Sequence, residues 1–140
     1  MTGNQLRNSL ARRTCYVSAP TLVDVNNLIV ALKSLGINTV YVSDESYRLK
    51  DREALVREMD FTIGVAIGDL ERNIATFIDL GIAERMGKPI AMIVEPSCFA
   101  LPQSLRSHFR IATKLDDAES IGIALSRFVT TLYSGKWDLH

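Results

Sequence analysis

The stretch from Asn73 to Ile90, NIATFIDLGIAERMGKPI, carries the strongest chemical signal: a helix that is apolar almost all round holds one acid in its middle turn, Asp79. At about 100° per residue, Ile74, Ile78, Gly81 and Ile82 share one face, Phe77 and Leu80 fall on another, and Asp79 lies beside Ala75, Ala83 and Met86. A carboxylate among small and apolar neighbours loses hydration unless donors compensate, and such a group suits a nucleophile or a general base. The plain alternative is an aspartate that faces solvent. Ser18 and Ser43 stand at strand ends, where a hydroxyl or backbone N–H can meet a sugar or phosphate, although serines there also simply cap turns. Other chemistries have little to stand on. His108 and His140 are the only histidines, and Cys15 and Cys98 are far apart, so neither a His-based triad nor a zinc spacing is present. No Walker-type loop occurs and no G-x-G-x-x-G follows the first strand, which disfavours a tightly held dinucleotide; no cofactor and no metal are expected.

The elements that must position these residues alternate regularly. TCYVSA (Thr14 to Ala19) reads as a buried strand ended by Pro20, and Leu22, Val25, Leu28, Ile29 and Leu32 then recur at helical spacing up to Gly36. Asn38 to Ser43 is β-branched and aromatic, hence a second strand. A short helix over Asp51 to Met59, a third strand over Phe61 to Ile67, the helix of Asp79 and a strand over Pro89 to Val94 follow. A short edge strand from Phe109 to Thr113 precedes a last helix from about Asp117 to Leu132, whose N-terminal end suits Asp116 and Asp117.

Near-continuous apolar strands separated by helices signal a parallel sheet covered on both faces: an α/β three-layer sandwich with a mostly parallel, five-stranded sheet. In such sheets ligands bind beyond the C-terminal strand ends. The expected walls are Ser18 to Leu22, Ser43 to Lys50, Gly68 to Asn73 and Glu95 to Gln103.

With 140 residues, 16 basic and 16 acidic side chains and a pI near 6.7, the chain has no global field to attract nucleic acid or an anionic membrane. No apolar run is long enough to span a membrane, and the N-terminus lacks a signal-peptide core, so a cytoplasmic protein is expected. Residues 1–13 read as a flexible basic segment, 14–135 as one domain and 136–140 as a tail.

The pieces CYVSAP, REMDFTIGVAI, IDLGIAERMGKPIAMIV and LPQSLRSHF resemble the nucleoside 2-deoxyribosyltransferase-like superfamily over roughly residues 14 to 113. The resemblance implies a Rossmann-like or flavodoxin-like fold related to TIR-like domains. In that family, which includes deoxyribosyltransferases and nucleotide N-glycosidases, a Glu attacks the anomeric carbon and forms a covalent sugar ester. Here Asp79 takes the nucleophile's place, Gly81 and Ala83 match the following small residues, Ser18, Ala19 and Pro20 match the sugar-pocket loop, and Asp60 matches a structural acid. Gly68 and Asn73 bound the loop after the third strand.

Three departures matter. Asp for Glu shortens the reach by on the order of 1.5 Å, to which attack geometry is sensitive. Phe77 and Ala75 stand where the family carries glycines. The family's second acid near the start of the short helix is absent from its place, which Arg52 occupies between Asp51 and Glu53. The expectation is therefore a domain binding a nucleoside, nucleotide or NAD-like ligand without turnover, with an active N-glycosidase or deoxyribosyltransferase using Asp79 as the alternative. Helix Ile74 to Met86 also has more apolar surface than one sheet face covers, which predicts a homodimer or higher homo-oligomer burying Phe77 and Leu80.

Overall fold

Alternation along the first strand sets the architecture. In β1 (Thr14–Ala19), Cys15, Val17 and Ala19 pack into one apolar layer and Tyr16 into a second, all without solvent exposure. A strand covered on both faces belongs inside a sheet. The computed structural model describes residues 13–43, 49–68, 71–98 and 109–134. Within them lie β2 (Asn38–Ser43), β3 (Phe61–Ala66), β4 (Ile90–Val94) and β5 (Phe109–Ala112), arranged with β1 as an all-parallel sheet in the order β2-β1-β3-β4-β5.

Helices α1 (Asn26–Ser34) and α4 (Ala118–Tyr133) cover one face, and α2 (Leu49–Glu58) and α3 (Ile74–Arg85) the other. The expected three-layer α/β sandwich is the observed one. The larger core joins Leu28 and Leu32 of α1 and Ile121, Leu125 and Phe128 of α4 to Val17, Ile63 and Ile93, with Phe61 and Phe128 meeting edge to face at 5.4 Å. The smaller core sets Val56 of α2 and Leu80, Ile82 and Ala83 of α3 against Tyr16, Ile90 and Met92.

Two local contacts decide how closely α3 lies on the sheet. Gly64 of β3 pairs with Ser18 of β1, and a Cβ at Gly64 would stand 2.6 Å from Cδ1 of Leu80 and 2.9 Å from its Cγ. The missing side chain therefore admits Leu80 and brings its neighbour Asp79 down to β1. At the far end of α3, Lys88 donates to the carbonyls of Arg57 (3.0 Å) and Met59 (2.9 Å). Its charge complements the negative C-terminal end of α2.

The structure departs from the sequence reading at α1. Leu22 is not on the helix: the chain enters α1 only at Asn26, whose N–H is taken by the Asp24 carboxylate at 2.9 Å, and Leu22 has φ 64° and is 98% exposed. A local side-chain acceptor competing with the helical ladder explains the late start. At α4 the reading holds, since Asp117 caps the helix by accepting from the Ser120 N–H at 3.1 Å. These bonds hold the Asp117 carboxyl below the usual carboxylate range. Asp60 and Thr14 clasp reciprocally, each backbone N–H donating to the other's side chain.

Residues 1–12, the tail 136–140, both histidines and parts of three expected crevice walls lie outside the described residues. Arg13, the last residue of the basic segment, sits over the Tyr133 ring at 3.6 Å from its centroid. Among the described residues no helix is long and apolar enough to cross a membrane.

Candidate functional site

Asp79 is fully buried between α3, β1 and α2. One oxygen, Oδ2, accepts from the Arg52 guanidinium at 2.7 Å, the Tyr16 hydroxyl at 2.7 Å and the Ser18 hydroxyl at 2.5 Å. The other, Oδ1, is buried with no hydrogen-bond partner. The positions follow from simple periodicities. Tyr16 and Ser18 are two residues apart and so share a face of β1. Arg52 and Val56 are four apart on the buried side of α2. Burial, together with the negative charge of Asp79, raises the Tyr16 hydroxyl well above its ordinary range, so Tyr16 remains a donor at neutral pH.

This cluster is a charge-compensated knot tying α2 and α3 to the central strand. Both charges are sequestered, the Arg52 side chain being 6% exposed and Asp79 not at all. The apolar surroundings foreseen for Asp79 are present. Of the three donors that offset them, the sequence reading selected Ser18 and did not select Tyr16 or Arg52 as site residues.

The other expected site residues scatter. Ser18 joins Asp79 but spends its hydroxyl there, and Ala19 is in the larger core on the opposite face. Pro20 is buried at the strand end, and the side chain of Ser43 lies outside the described residues. Asp51 is exposed on α2, and Glu53, half-buried, follows Arg52 in the chain and is not among the groups bonded to Asp79. Asn73 is buried and structural: its amide oxygen accepts from the Ile67 N–H at 2.9 Å while its amide nitrogen donates to the Ile67 carbonyl at 2.7 Å. That pair closes the loop after β3, where Gly68 takes a positive φ of 60° and donates to Ser97 at 3.2 Å. The expected exposure of Leu80 is corrected too. Leu80 is fully buried in the smaller core and so is not available to an interface, whereas Phe77 is half-buried against that core and Ile74 and Ile78 are the large apolar side chains that α3 exposes.

A second feature occupies the place the topology reserves for ligands. From β1 the chain passes through α1 to β2, whereas from β3 it passes through α3, on the opposite face, to β4. The crevice opens where these connections diverge. A cavity of about 360 Å³ lies there, lined by Leu22, Val23, Asp24 and Asn27 after β1, Ile67 and Arg72 after β3, Glu95 after β4, and Leu115 and Asp116 after β5. That volume is at the lower end of small-molecule pockets.

Three carboxyl groups and one guanidinium share this space. Asp24 uses Oδ1 on the Asn26 N–H and Glu95 uses Oε2 on the Leu115 N–H at 3.1 Å, leaving Oδ2 of Asp24 and Oε1 of Glu95 as acceptors without partners among the described residues. Asn27 donates to the Leu115 carbonyl at 3.0 Å. The lining thus pairs apolar side chains with spare carboxylate oxygens, which suits a ring compound bearing hydroxyl donors. Among the described residues no group of acidic, His or Cys side chains is placed to hold a metal ion. Sequence reasoning named the loops after β1, β3 and β4 but not the segment after β5, and it missed Asp24, Asn27, Arg72 and Asp116 as lining residues. Their signal was position in the connections that leave the C-terminal strand ends.

No protein-family model matches the sequence, and no curated protein matches it. Solved structures match the fold. The chain is similar to the sugar isomerase domain of the RpiR transcription factor from Sphaerobacter thermophilus, with a TM-score of 0.58 and 16% identity over 99% of this chain and 83% of that one. It is also similar to the Flv1 flavodiiron core from Synechocystis sp. PCC6803, with a TM-score of 0.58 and 8% identity over 89% of this chain and 37% of that one. A third match is diflavin flavoprotein A3 from Nostoc sp., with a TM-score of 0.54 and 12% identity over 92% and 99% of the two chains. What these proteins share with this chain is the parallel α/β architecture.

Proposed function

We propose that the protein is a ligand-binding domain whose crevice over β1, β3 and β4 takes up a nucleoside or a close relative, without turnover through Asp79. The observation that carries the reading is the crevice lining: Asp24, Glu95 and Asp116 beside one Arg72, with Leu22, Val23, Ile67 and Leu115 as apolar walls. Carboxylate oxygens accept from sugar hydroxyls as they do from a ribose in dinucleotide sites, and apolar walls cover a ring. The same carboxylates repel a phosphate. A nucleoside is therefore favoured over a nucleotide, NAD or a flavin mononucleotide.

The enzyme alternative needs Asp79 to shed Arg52, Tyr16 and Ser18 and to reach an anomeric carbon from a fully buried position. The burial and the three donors argue against it. Both cysteines are free thiols, which fits a reducing, cytoplasmic setting.

The test is a thermal-shift and calorimetric panel of adenosine, uridine, their 5′-monophosphates, NAD and flavin mononucleotide, run alongside an assay for released base. Binding of a nucleoside at 100 times its Kd stabilises by about 2.7 kcal/mol. Nucleoside-dependent stabilisation, weaker binding of the phosphates and no free base are the expected results. Base release that disappears in Asp79→Asn would instead establish the enzyme.

A further inference from the structure

Leu22 combines two unfavourable features at the mouth of the crevice. Its φ of 64° lies in the left-handed region; the other described residues with positive φ are Gly36, Gly68 and Gly87. Its side chain is 98% exposed, so no packing among the described residues offsets the backbone conformation. A branched side chain in this region is strained, and glycine would occupy it freely. Strain of this kind is held in place where the surroundings or a ligand give something in return. Leu22 also lines the cavity, next to Val23 and with Asp24 two residues further on.

We infer that Leu22 is a ligand-contacting cap, whose side chain closes over the apolar face of the bound ring while the carboxylates beneath take its hydroxyls. The inference rests on the ligand-binding reading. It adds a division of labour within the crevice: Asp24, Glu95 and Asp116 select for hydroxyls, and Leu22 selects for a ring wide enough to bury it. A purine ring presents more area to that contact than a pyrimidine, so the cap favours adenosine over uridine.

The experiment compares the full-length wild type with Leu22→Ala and Leu22→Gly, measuring affinity for adenosine and uridine by calorimetry and melting temperature without ligand. Both variants are expected to bind adenosine roughly tenfold more weakly, the effect of losing one leucine-sized apolar contact, and to discriminate less between the two nucleosides. Without ligand, Leu22→Gly is expected to melt no lower than wild type, because relief of strain offsets the added freedom of the unfolded chain. Variants that bind adenosine as tightly as wild type overturn the cap while leaving ligand binding intact. A Leu22→Gly protein melting several degrees below wild type without ligand overturns it as well, since Leu22 would then serve the fold. A wild type that binds neither nucleoside removes the ligand-binding reading and the cap with it.

Discussion

Replacing Arg52 with Met tests whether Asp79 is a structural anchor or a reactive group. The substitution keeps most of the side-chain volume and removes the guanidinium that meets Asp79 Oδ2 at 2.7 Å. Both partners are sequestered, so solvent screening gives little relief, and stranding one member of a buried pair costs about 3–5 kcal/mol. Tyr16 and Ser18 still donate to the abandoned carboxylate, which places the expectation at the lower end, about 3 kcal/mol. With a urea m-value of about 2 kcal/mol/M, the unfolding midpoint should fall by about 1.5 M at unchanged m. The double variant Arg52→Met/Asp79→Leu should recover most of the loss, because an apolar pair of similar volume replaces a buried ion pair at little net cost. Asp79→Asn should also destabilise, since the amide loses the charge that three donors converge on. The opposite outcome is diagnostic. Reactive groups are commonly held at the expense of stability, and removing one is often neutral or stabilising. An Arg52→Met midpoint within error of wild type, or an Asp79→Asn protein more stable than wild type, would refute the anchor.

Gly64→Ala should cost about 1–3 kcal/mol by overpacking, because its Cβ would meet the fully buried Leu80 at 2.6 Å; equilibrium denaturation checks it. Tyr16 and Tyr133 both titrate above the ordinary tyrosine value in the folded state: burial first and then Asp79 raise Tyr16, and burial first and then Asp60 push Tyr133 up to about 12. A folded pKa above the unfolded one means that this stability is complete below about pH 10 and is lost as pH rises towards 12 and beyond. Tyr16→Phe should flatten that alkaline loss and, by removing a hydrogen bond to a charged group, cost about 1.5–3 kcal/mol at pH 7. Cys15 is buried, and burial raises its thiol well above the usual range, whereas Cys98 is half-buried. A thiol reagent should therefore modify Cys98 in the native protein and reach Cys15 only on unfolding, as peptide mapping would show. Self-association through α3, if light scattering detects it, uses the exposed Ile74 and Ile78 and the half-buried Phe77 rather than Leu80, which is in the core; Ile78→Glu should then yield a monomer whose melting temperature no longer rises with protein concentration.

Most of the fold was legible because periodicity is a property of local sequence. The alternation of Cys15, Val17 and Ala19 against Tyr16 and Ser18 marked a strand buried on both faces, and the apolar runs at Phe61 and Ile90 did the same. The start of α1 was misread because Leu22 and Val25 happen to share a helical spacing with Leu28, whereas the deciding interaction, Asp24 with the Asn26 N–H, is a choice between two local hydrogen bonds that apolar pattern does not register. Asp79 stood out as a lone acid on an apolar helix. Its partners did not: Arg52 is 27 residues away and Tyr16 is 63 away, and only the parallel pairing of β1 with β3 and the packing of α3 on both brings them together. Two polar-tipped residues on one face of β1 were the available hint, because a buried hydroxyl demands a partner.

The same strand explains why the anchor and the crevice can be altered separately. Tyr16 and Ser18 point to the face covered by α2 and α3 and carry the Asp79 knot, whereas Val17 and Ala19 point to the face of α1 and α4, from which the crevice is built beyond the strand end. The side chains around Asp79 and those lining the crevice have no residue in common. Substitutions without shared partners add nearly independently. Combining Arg52→Met with Asp24→Asn should therefore give the stability loss of the first and the weakened nucleoside binding of the second, each within about 0.5 kcal/mol of its single-variant value. A combined loss of binding well beyond that sum would mean that the buried pair positions the crevice, and would tie the two faces of the sheet into one site.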